Sequence, residues 1–594
     1  MTVVRELTSI DDAVERGAGR LLSLQHPDGW WKGELESNAT MIAEHLFLLH
    51  FLGRRDPETD RLLANELLAR RRADGTWSIW YEGPADLSVT VEAYTALKLA
   101  GVDPGEATRD YIRRAGGVPQ ARIFTRAFLA LIGQWPWRRL AHVPVELVLL
   151  PAQGPLSVYD FACWARQTMV ALSVVEALRP VRPSAIDLTD IGGRRCEPAG
   201  TPRLSTLRRR AIRVAERWIR ERQESDGSWG GIQPPWVWSL IMLASLGKGA
   251  EDETFAKGLA GWERFMIRDG DRLRPEACQS PVWDTALAVL ALRAAGVPAD
   301  DRRLQTAGAW LLGEEVTVRG DWAIRRPSLA PGGWAFEFDN DLYPDVDDTA
   351  VVALALRELG LGEGAVRRGL DWMVGMQSRT GGWGAFDVDN EALWLYRLPI
   401  CDFGKVTDEP SADVSAHALE VIGHEDAYDT ARSRGLEWLL AEQEADGSWF
   451  GRWGVNHIYG TGAALPALEA CRVPHGHPSM RRAVAWLDSV QQPNGGFGED
   501  IRSYGDPAWR GRGAATPSQT AWALLGYVSG GAAAGLSARR AAEYLCQGQR
   551  ADGDWDEQHY TGTGFPLDFM IRYHLYRLTF PVLALGRVRE RLNG

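Results

Sequence analysis

The chain has 594 residues, 45% hydrophobic and 24% charged, which excludes intrinsic disorder and is more than one ordinary domain core holds. Lys plus Arg (66) against Asp plus Glu (78) leaves a net charge of −12, so nucleic acid is not an expected partner, because phosphate binding needs a basic surface. Six cysteines (Cys163, Cys196, Cys278, Cys401, Cys471, Cys546) are scattered without a CxxC pair, which fits reduced thiols better than a disulfide framework or a structural zinc.

The N-terminal stretch MTVVRELTSIDDAVERGAGR is charged and lacks an apolar h-region, so no secretory signal is expected, and DDAVE at 11–15 reads as the start of the first helix. No run of 18 or more apolar residues follows, so no segment is expected to span a membrane; lying on its surface stays open. Trp (26) outnumbers Phe (16) and Tyr (14), and many of the tryptophans recur in one phrase: a helix ending in Gln, three residues, Gly, any residue, and an aromatic. The copies pair Gln25 with Trp31, Gln223 with Trp229, Gln377 with Trp383, Gln443 with Trp449, Gln491 with Phe497 and Gln549 with Trp555. RRRADGTW, ending at Trp77, carries Arg71 in place of Gln.

A repeat of this length predicts stacked helix pairs. Each copy closes a helical pattern such as RGLEWLLAEQ (434–443) with a DG or NG turn, and strand-like alternation is scarce. The Gln amide is expected to bond backbone groups at helix ends, and the indole to stack against the next unit. Periodicity alone does not choose between a closed α–α barrel and an open solenoid.

The segment PDVDDTAVVALAL (344–356) puts three carboxyls into four residues ahead of an apolar helical face. By itself it reads as a helix start, with Asp345 as N-cap and Gly360 as stop. An EF-hand reading of DNDLYPDVDD fails for want of the central Gly and the closing Glu.

With the repeat and this acid cluster together, the chain resembles the squalene–hopene cyclases, class II triterpene cyclases. The repeat matches their glutamine–tryptophan motif and DVDDTA their acid motif; further matching runs are GGIQPPW (230–236), SPVWDTALAVLALRAAG (280–296), CDFGKVTDEPSADVSAH (401–417), FGRWGVNHIYGTG (450–462) and TGTGFPLDFMIRYHLYRLTFPVLALGR (561–587). The resemblance runs from about residue 12 onward. It implies an all-α fold of two α–α barrel domains with a large apolar cavity between them: residues 1–20 with 280–594 as the domain carrying DVDD, and 21–279 as the inserted one.

The resemblance also implies a mechanism and its residues. Asp347 is the expected proton donor to a terminal alkene, with Asp345 and Asp348 as tuning neighbours, His417 as hydrogen-bonded partner and Asp413, four residues earlier on the same helical face, orienting the histidine. An ordinary carboxyl is a weak acid for an isolated double bond, so crowded carboxyls and a cationic partner are what the step needs. Trp164, Trp283, Phe336, Tyr343, Trp453, Tyr459, Phe565, Phe569, Tyr573 and Tyr576 are the expected cavity aromatics, whose faces attract a carbocation without offering it a nucleophilic lone pair. Gln233 and Pro234 are expected at a termination water, with Glu44 and Glu92 in the network behind it. No metal or redox cofactor is implied; the partner is an apolar polyprenyl substrate such as squalene. The place is the cytoplasmic side of a membrane, bound peripherally, or the cytoplasm itself, with room for a homodimer.

Two departures from the family pattern stand out. Phe386 replaces a tyrosine, and the inserted-looking EALWLYR brings Trp394 and Tyr396 nearby as compensating side chains. The interval from Val181 to Arg222 is short and basic where the family has an additional apolar helix, which weakens the expectation of membrane binding; the Arg208–Arg210 cluster suits lipid head groups or a solvated helix face equally. The alternatives are a class II cyclase of another polyprenyl or prenyl diphosphate substrate, a non-catalytic helical scaffold or binding protein, and a zinc site from Cys401, Asp402 and His417.

Overall fold

A computed structural model of the chain describes residues 2–154, 156–198, 202–402 and 404–593, with side chains from residue 10 onward. Helix accounts for 54% of the chain and strand for 4%, so the class is all-α as expected.

Outer and inner helices alternate, and their sequences show why. Outer helix Glu363–Gly375 buries Val366, Leu370, Trp372 and Met373 along one stripe and leaves Arg367 and Arg368 in water. Inner helix Val346–Leu359 is instead rich in Ala and Val and buried almost all round. Inner helices Pro281–Ala294, Val346–Leu359, Ala412–Ile422, His457–Ala470, Pro517–Ser529 and Tyr576–Asn593 pack each on the next, and the last returns to the first, closing a barrel. Helix Thr2–Ser23 lies outside this ring against Tyr576–Asn593 and Leu536–Gly548. DDAVE sits inside that helix, which begins nine residues earlier than the sequence suggests. The second barrel is built on Ala39–Leu52, Leu87–Leu99, Ile123–Leu131, Cys163–Leu178 and Gln233–Ser245, the last packing on both Cys163–Leu178 and Ala39–Leu52. Two buried apolar clusters result, and Ile232, Phe386, Trp453 and Phe565 touch both.

The repeat is a three-part clamp. Gln377 Nε2 donates to Gly381 O at 2.7 Å, within its own turn, and to Ala431 O at 2.9 Å on the next outer helix. Gln25, Gln223, Gln443, Gln491 and Gln549 make the same two bonds in their copies. The indole of Trp383 donates to Met373 O, ten residues back, and a Cβ on Gly435 would stand 2.6 Å from its ring, so only glycine lets the next helix approach. The third part is the aromatic residue's own N–H, which donates to a hydroxyl near the start of the following inner helix: Trp383 to Ser415, Trp449 to Thr461, Phe497 to Thr520. Trp334, in PGGW without a preceding Gln, makes the indole bond to Leu311 O and the N–H bond to Thr349, a copy the sequence phrase does not flag.

The strands are local devices. Leu35–Glu36, Phe569–Tyr573 and Gly562–Phe565 form one antiparallel sheet in the order first, third, second along the chain. Among the described residues no helix is long and apolar enough to cross a membrane.

Removing the amide in Gln377→Ala leaves the Gly381 and Ala431 carbonyls without this donor, at about 1–3 kcal/mol for each that stays dry. The midpoint of thermal unfolding is expected to fall by several degrees in calorimetry, while the molecules that remain folded keep their activity; an unchanged midpoint would refute the clamp.

Candidate active site

The acid turn is built by the clamp. Asp345 N–H donates to Trp334 O at 2.8 Å and Val346 N–H to Ala385 O at 2.8 Å, so two repeat turns grip the start of helix Val346–Leu359. Asp345 is the N-cap, its Oδ1 accepting the Asp347 N–H at 2.6 Å, and Thr349 Oγ1 donates back to Asp345 O. Capping therefore falls to Asp345, and Asp347 is left to face the cavity.

The Asp347 Oδ1 atom lies 2.6 Å from His417 Nδ1, from helix Ala412–Ile422 on the neighbouring position of the ring. Burial pulls the imidazole down, but the Asp347 carboxylate and their hydrogen bond more than offset it and push it up to about 9. Burial first, then repulsion from Asp347, raises Asp345 well above the usual carboxylate range; burial, then Asp345 and Asp347, does the same to Asp348. Both are thereby biased to their neutral forms.

Asp413 does something other than orient His417. Its carboxylate accepts from Ser411 Oγ and from the backbone N–H groups of Val414, Arg452 and Trp453, the last two at 2.8 and 2.7 Å. At the first turn of its helix it is drawn to these N–H donors, so it anchors the 451–453 loop and sets Trp453, reaching His417 only through its charge.

A cavity of about 900 Å³ opens in front of Asp347 and is also lined by Asp345 and Asp348. All ten aromatics expected from the sequence line it. Trp164 comes from helix Cys163–Leu178, and its ring stands 5.8 Å from Trp453 and 5.9 Å from Phe565. Trp283 donates its indole N–H to Tyr576 Oη at 2.9 Å, and Tyr459 lies 6.2 Å from the His417 ring. Phe565, Phe569 and Tyr573 come from the short hairpin, where period-two alternation turns Phe569, Ile571 and Tyr573 to the same side. Phe336 and Tyr343 precede the acid turn; the Tyr343 hydroxyl donates to Asp321 Oδ2 at 2.7 Å. Asp321 is held in turn by Arg166 and Arg222, whose charges keep its carboxyl below the usual range although burial pushes the other way.

A second pocket of about 760 Å³ shares Trp164, Ile232, Phe565 and Phe569 with the first and is polar at its far side. Glu44, Glu92, Gln233 and Pro234 all line it. Gln233 Nε2 donates to Glu44 Oε2 at 2.6 Å, Thr40 Oγ1 donates to Glu92 Oε2 at 2.6 Å, and Thr125 Oγ1 donates to Glu92 Oε1. Burial, reinforced by Glu92, pushes Glu44 well above the carboxylate range, and burial also raises Glu92.

Two further sequence readings change. Phe386 lines the cavity, but Trp394 is 38% exposed and the Tyr396 hydroxyl is 2.6 Å from Thr407 Oγ1, so neither replaces the missing phenol. Their short 3-10 segment, Leu393–Arg397, runs outside the cavity wall. Cys401, Asp402 and His417 do not converge as a metal site: Asp402 accepts the Ile123 N–H while His417 faces Asp347. Sequence reasoning also missed Gln167, Glu337 and Asn340, which line the cavity. Gln167 is one helical turn past Trp164, and Glu337 adjoins Phe336, so helical and chain adjacency to expected aromatics was the signal for both.

The comparisons agree with this geometry. The family model for the squalene-hopene cyclase C-terminal domain matches residues 279–590, and that for the N-terminal domain matches 14–201 and 193–271. The squalene–hopene cyclase of Alicyclobacillus acidocaldarius is 47% identical over 617 residues, covering 98% of this chain and 98% of its own. The dammaradiene synthase of Dryopteris crassirhizoma is 37% identical, covering 99% of this chain and 94% of its own. Among solved structures, ent-copalyl diphosphate synthase from Streptomyces platensis superposes with a TM-score of 0.52 at 18% identity, covering 98% and 99% of the two chains, which speaks to fold alone. Built from two helical barrels around an acid-headed aromatic cavity, this chain belongs to the squalene–hopene cyclase family.

Proposed function

We propose that the protein is a class II terpene cyclase that protonates the terminal alkene of squalene and folds it into hopene or hopanol. The observation that carries this reading is the Asp347–His417 pair at 2.6 Å, set at the head of a cavity walled by aromatic faces. Asp347 delivers its proton to the double bond, and the carboxylate left behind is stabilised by the His417 imidazolium. The positive charge then moves along the chain past Trp164, Trp283, Phe336, Trp453 and Phe565, each aromatic face offering about 0.5–2 kcal/mol of cation–π attraction. Neutral Asp345 and Asp348 do not trap it. At the far pocket a water held by Gln233 and the Glu44–Glu92 network takes the last proton or adds to the cation.

A prenyl diphosphate fits less well. Among the described residues no Lys or Arg lines the main cavity, and Arg122 at the far pocket is paired with Asp86 and Asp568. A hydrocarbon needs no such cation.

The same reading places a membrane beside helix Thr206–Arg220. This helix packs on the 3-10 segment Val145–Leu149, with Arg208 Nε 2.8 Å from Glu146 Oε1. Leu150, Leu156 and Leu207 are 39%, 52% and 56% exposed, and Arg209, Arg210, Arg213 and Arg217 stand in water on the helix. Leucines that enter an interface and arginines that meet anionic head groups suit a protein lying on a bilayer.

Three outcomes test these assignments. Incubated with squalene, the Asp347→Asn variant is expected to lose cyclisation by about 10³-fold or more, read by product analysis; near-normal hydrocarbon formation would sink Asp347 as the acid. Because His417 supports the reaction while protonated, turnover is expected to hold through neutral pH and fall as pH rises through about 9, and His417→Asn should lose that alkaline limb from an already lowered rate. Sedimentation with vesicles should be stronger for anionic than for neutral lipid, weaken with salt, and drop in a Leu150→Glu/Leu207→Glu double variant; equal binding by the variant would remove this face from the interface.

A further inference from the structure

The aromatic wall of the cavity is interrupted by a polar group that the reaction as written does not use. Glu337, Asn340 and Gln167 line the cavity and are 7%, 3% and 1% exposed. Asn340 Nδ2 donates to Glu337 Oε2 at 2.9 Å. The left-handed pair Gly230 (φ 63°) and Gly231 (φ 61°) brings the group together. A Cβ on Gly231 would stand 2.5 Å from the Glu337 carboxyl carbon, and one on Gly230 3.0 Å from Gln167 Nε2, so any other residue would push these side chains apart. Gln167 Oε1, Asn340 Oδ1 and Asp348 Oδ1 are buried acceptors without a protein donor. Acceptors of this kind are ordinarily met by bound water.

Behind this group, carboxyls continue toward solvent. Glu337 is within electrostatic reach of Asp348 in the acid turn and of Glu224 and Asp226 in the repeat turn 224–228. That turn packs on residues 339–342: the Leu342 N–H donates to Glu224 Oε1 at 3.4 Å, and Ser225 Oγ donates to Asp339 Oδ1. Asp339 is half-buried and Asp341 exposed, so carboxyls run from water at 339–341, through Glu224 and Asp226, to Glu337, Asp348 and Asp347. Burial pushes both Glu224 and Glu337 up to about 8, which leaves each holding a proton at neutral pH.

Each turnover needs such a supply, because the isomerisation takes its proton from Asp347 at one end and releases one at the other. We propose that Glu337, with water held by Gln167 and Asn340, is a proton relay that recharges Asp347 between turnovers. The proposal rests on the assignment of Asp347 as the acid. In the relay, the Glu337 O–H proton passes through bound water and Asp348 to the Asp347 carboxylate. Glu337 regains a proton from Glu224, and Glu224 from water at Asp339 and Asp341. The cyclised cation returns one proton to solvent from the Gln233 end, so the balance closes without a co-reactant.

The test separates the first turnover, which spends a proton already on Asp347, from later ones, which need recharging. Purified full-length protein is mixed with squalene in detergent micelles, once with enzyme in excess and once with substrate in excess. For Glu337→Gln, the first turnover should stay within about twofold of the parent while the steady-state rate falls about tenfold and its D₂O effect rises; Glu337→Asp, which keeps the carboxyl, should recover part of that rate. A steady-state rate equal to the parent's would overturn the relay and point to supply from the His417 side. A parallel fall in both rates, with no change in D₂O effect, would overturn it as well and leave Glu337 a packing residue. Asp347→Asn is the separate control: if it still completes a first turnover, the acid assignment itself fails.

Discussion

The glutamine–aromatic clamp is the constraint on which the rest of this molecule depends. One amide ties a turn to the next outer helix, one indole returns to a carbonyl in the last turn of its own helix, and one backbone N–H takes a hydroxyl at the start of the next inner helix. Helix ends carry orphan donors and acceptors that must find partners when buried. The clamp supplies them from the sequence itself, so helix pairs stack with fixed spacing. The hydroxyl of Thr349, bonded by Trp334 N–H, is also the one that bonds Asp345 O, so the position of the acid turn is a product of the repeat.

The cavity then follows a division of charge. Ionised groups are kept behind the wall in ion pairs, as where Arg166 and Arg222 converge on Asp321, which also accepts the Tyr343 hydroxyl while the Tyr343 ring lines the cavity. Carboxyls that do face the cavity, Asp345, Asp348 and Glu337, are raised by burial toward their neutral forms. A migrating carbocation thus meets aromatic faces and neutral groups, with the charged Asp347–His417 pair at one end. Burial also cuts Asp347 off from bulk water, which makes its recharging a structural problem.

Sequence reasoning reached the acid turn, its histidine, the ten aromatics and the four residues of the far pocket, because long matched runs fix which residue falls where. It went astray where a side chain had more than one reachable partner. Asp413 was placed on His417 by helical spacing, yet two loop N–H groups lie closer to its carboxylate. Trp394 and Tyr396 are near Phe386 in the chain, but their segment passes outside the wall. Arg166 and Asp321, 155 residues apart, carry no local signal of their pairing.

What the sequence determined by itself was periodic and local: helix pairs from the repeat and an N-cap at Asp345, while the residues of the cavity came from the family resemblance. The helix pairs and the cap follow from spacing and capping, which are readable one turn at a time. The tertiary structure alone decided which barrel wall each aromatic joins, that Asp347 rather than Asp345 meets His417, and that Gln167, Glu337 and Asn340 line the same cavity. These depend on contacts between segments far apart in the chain, where burial and competing hydrogen-bond partners, rather than spacing, set the outcome.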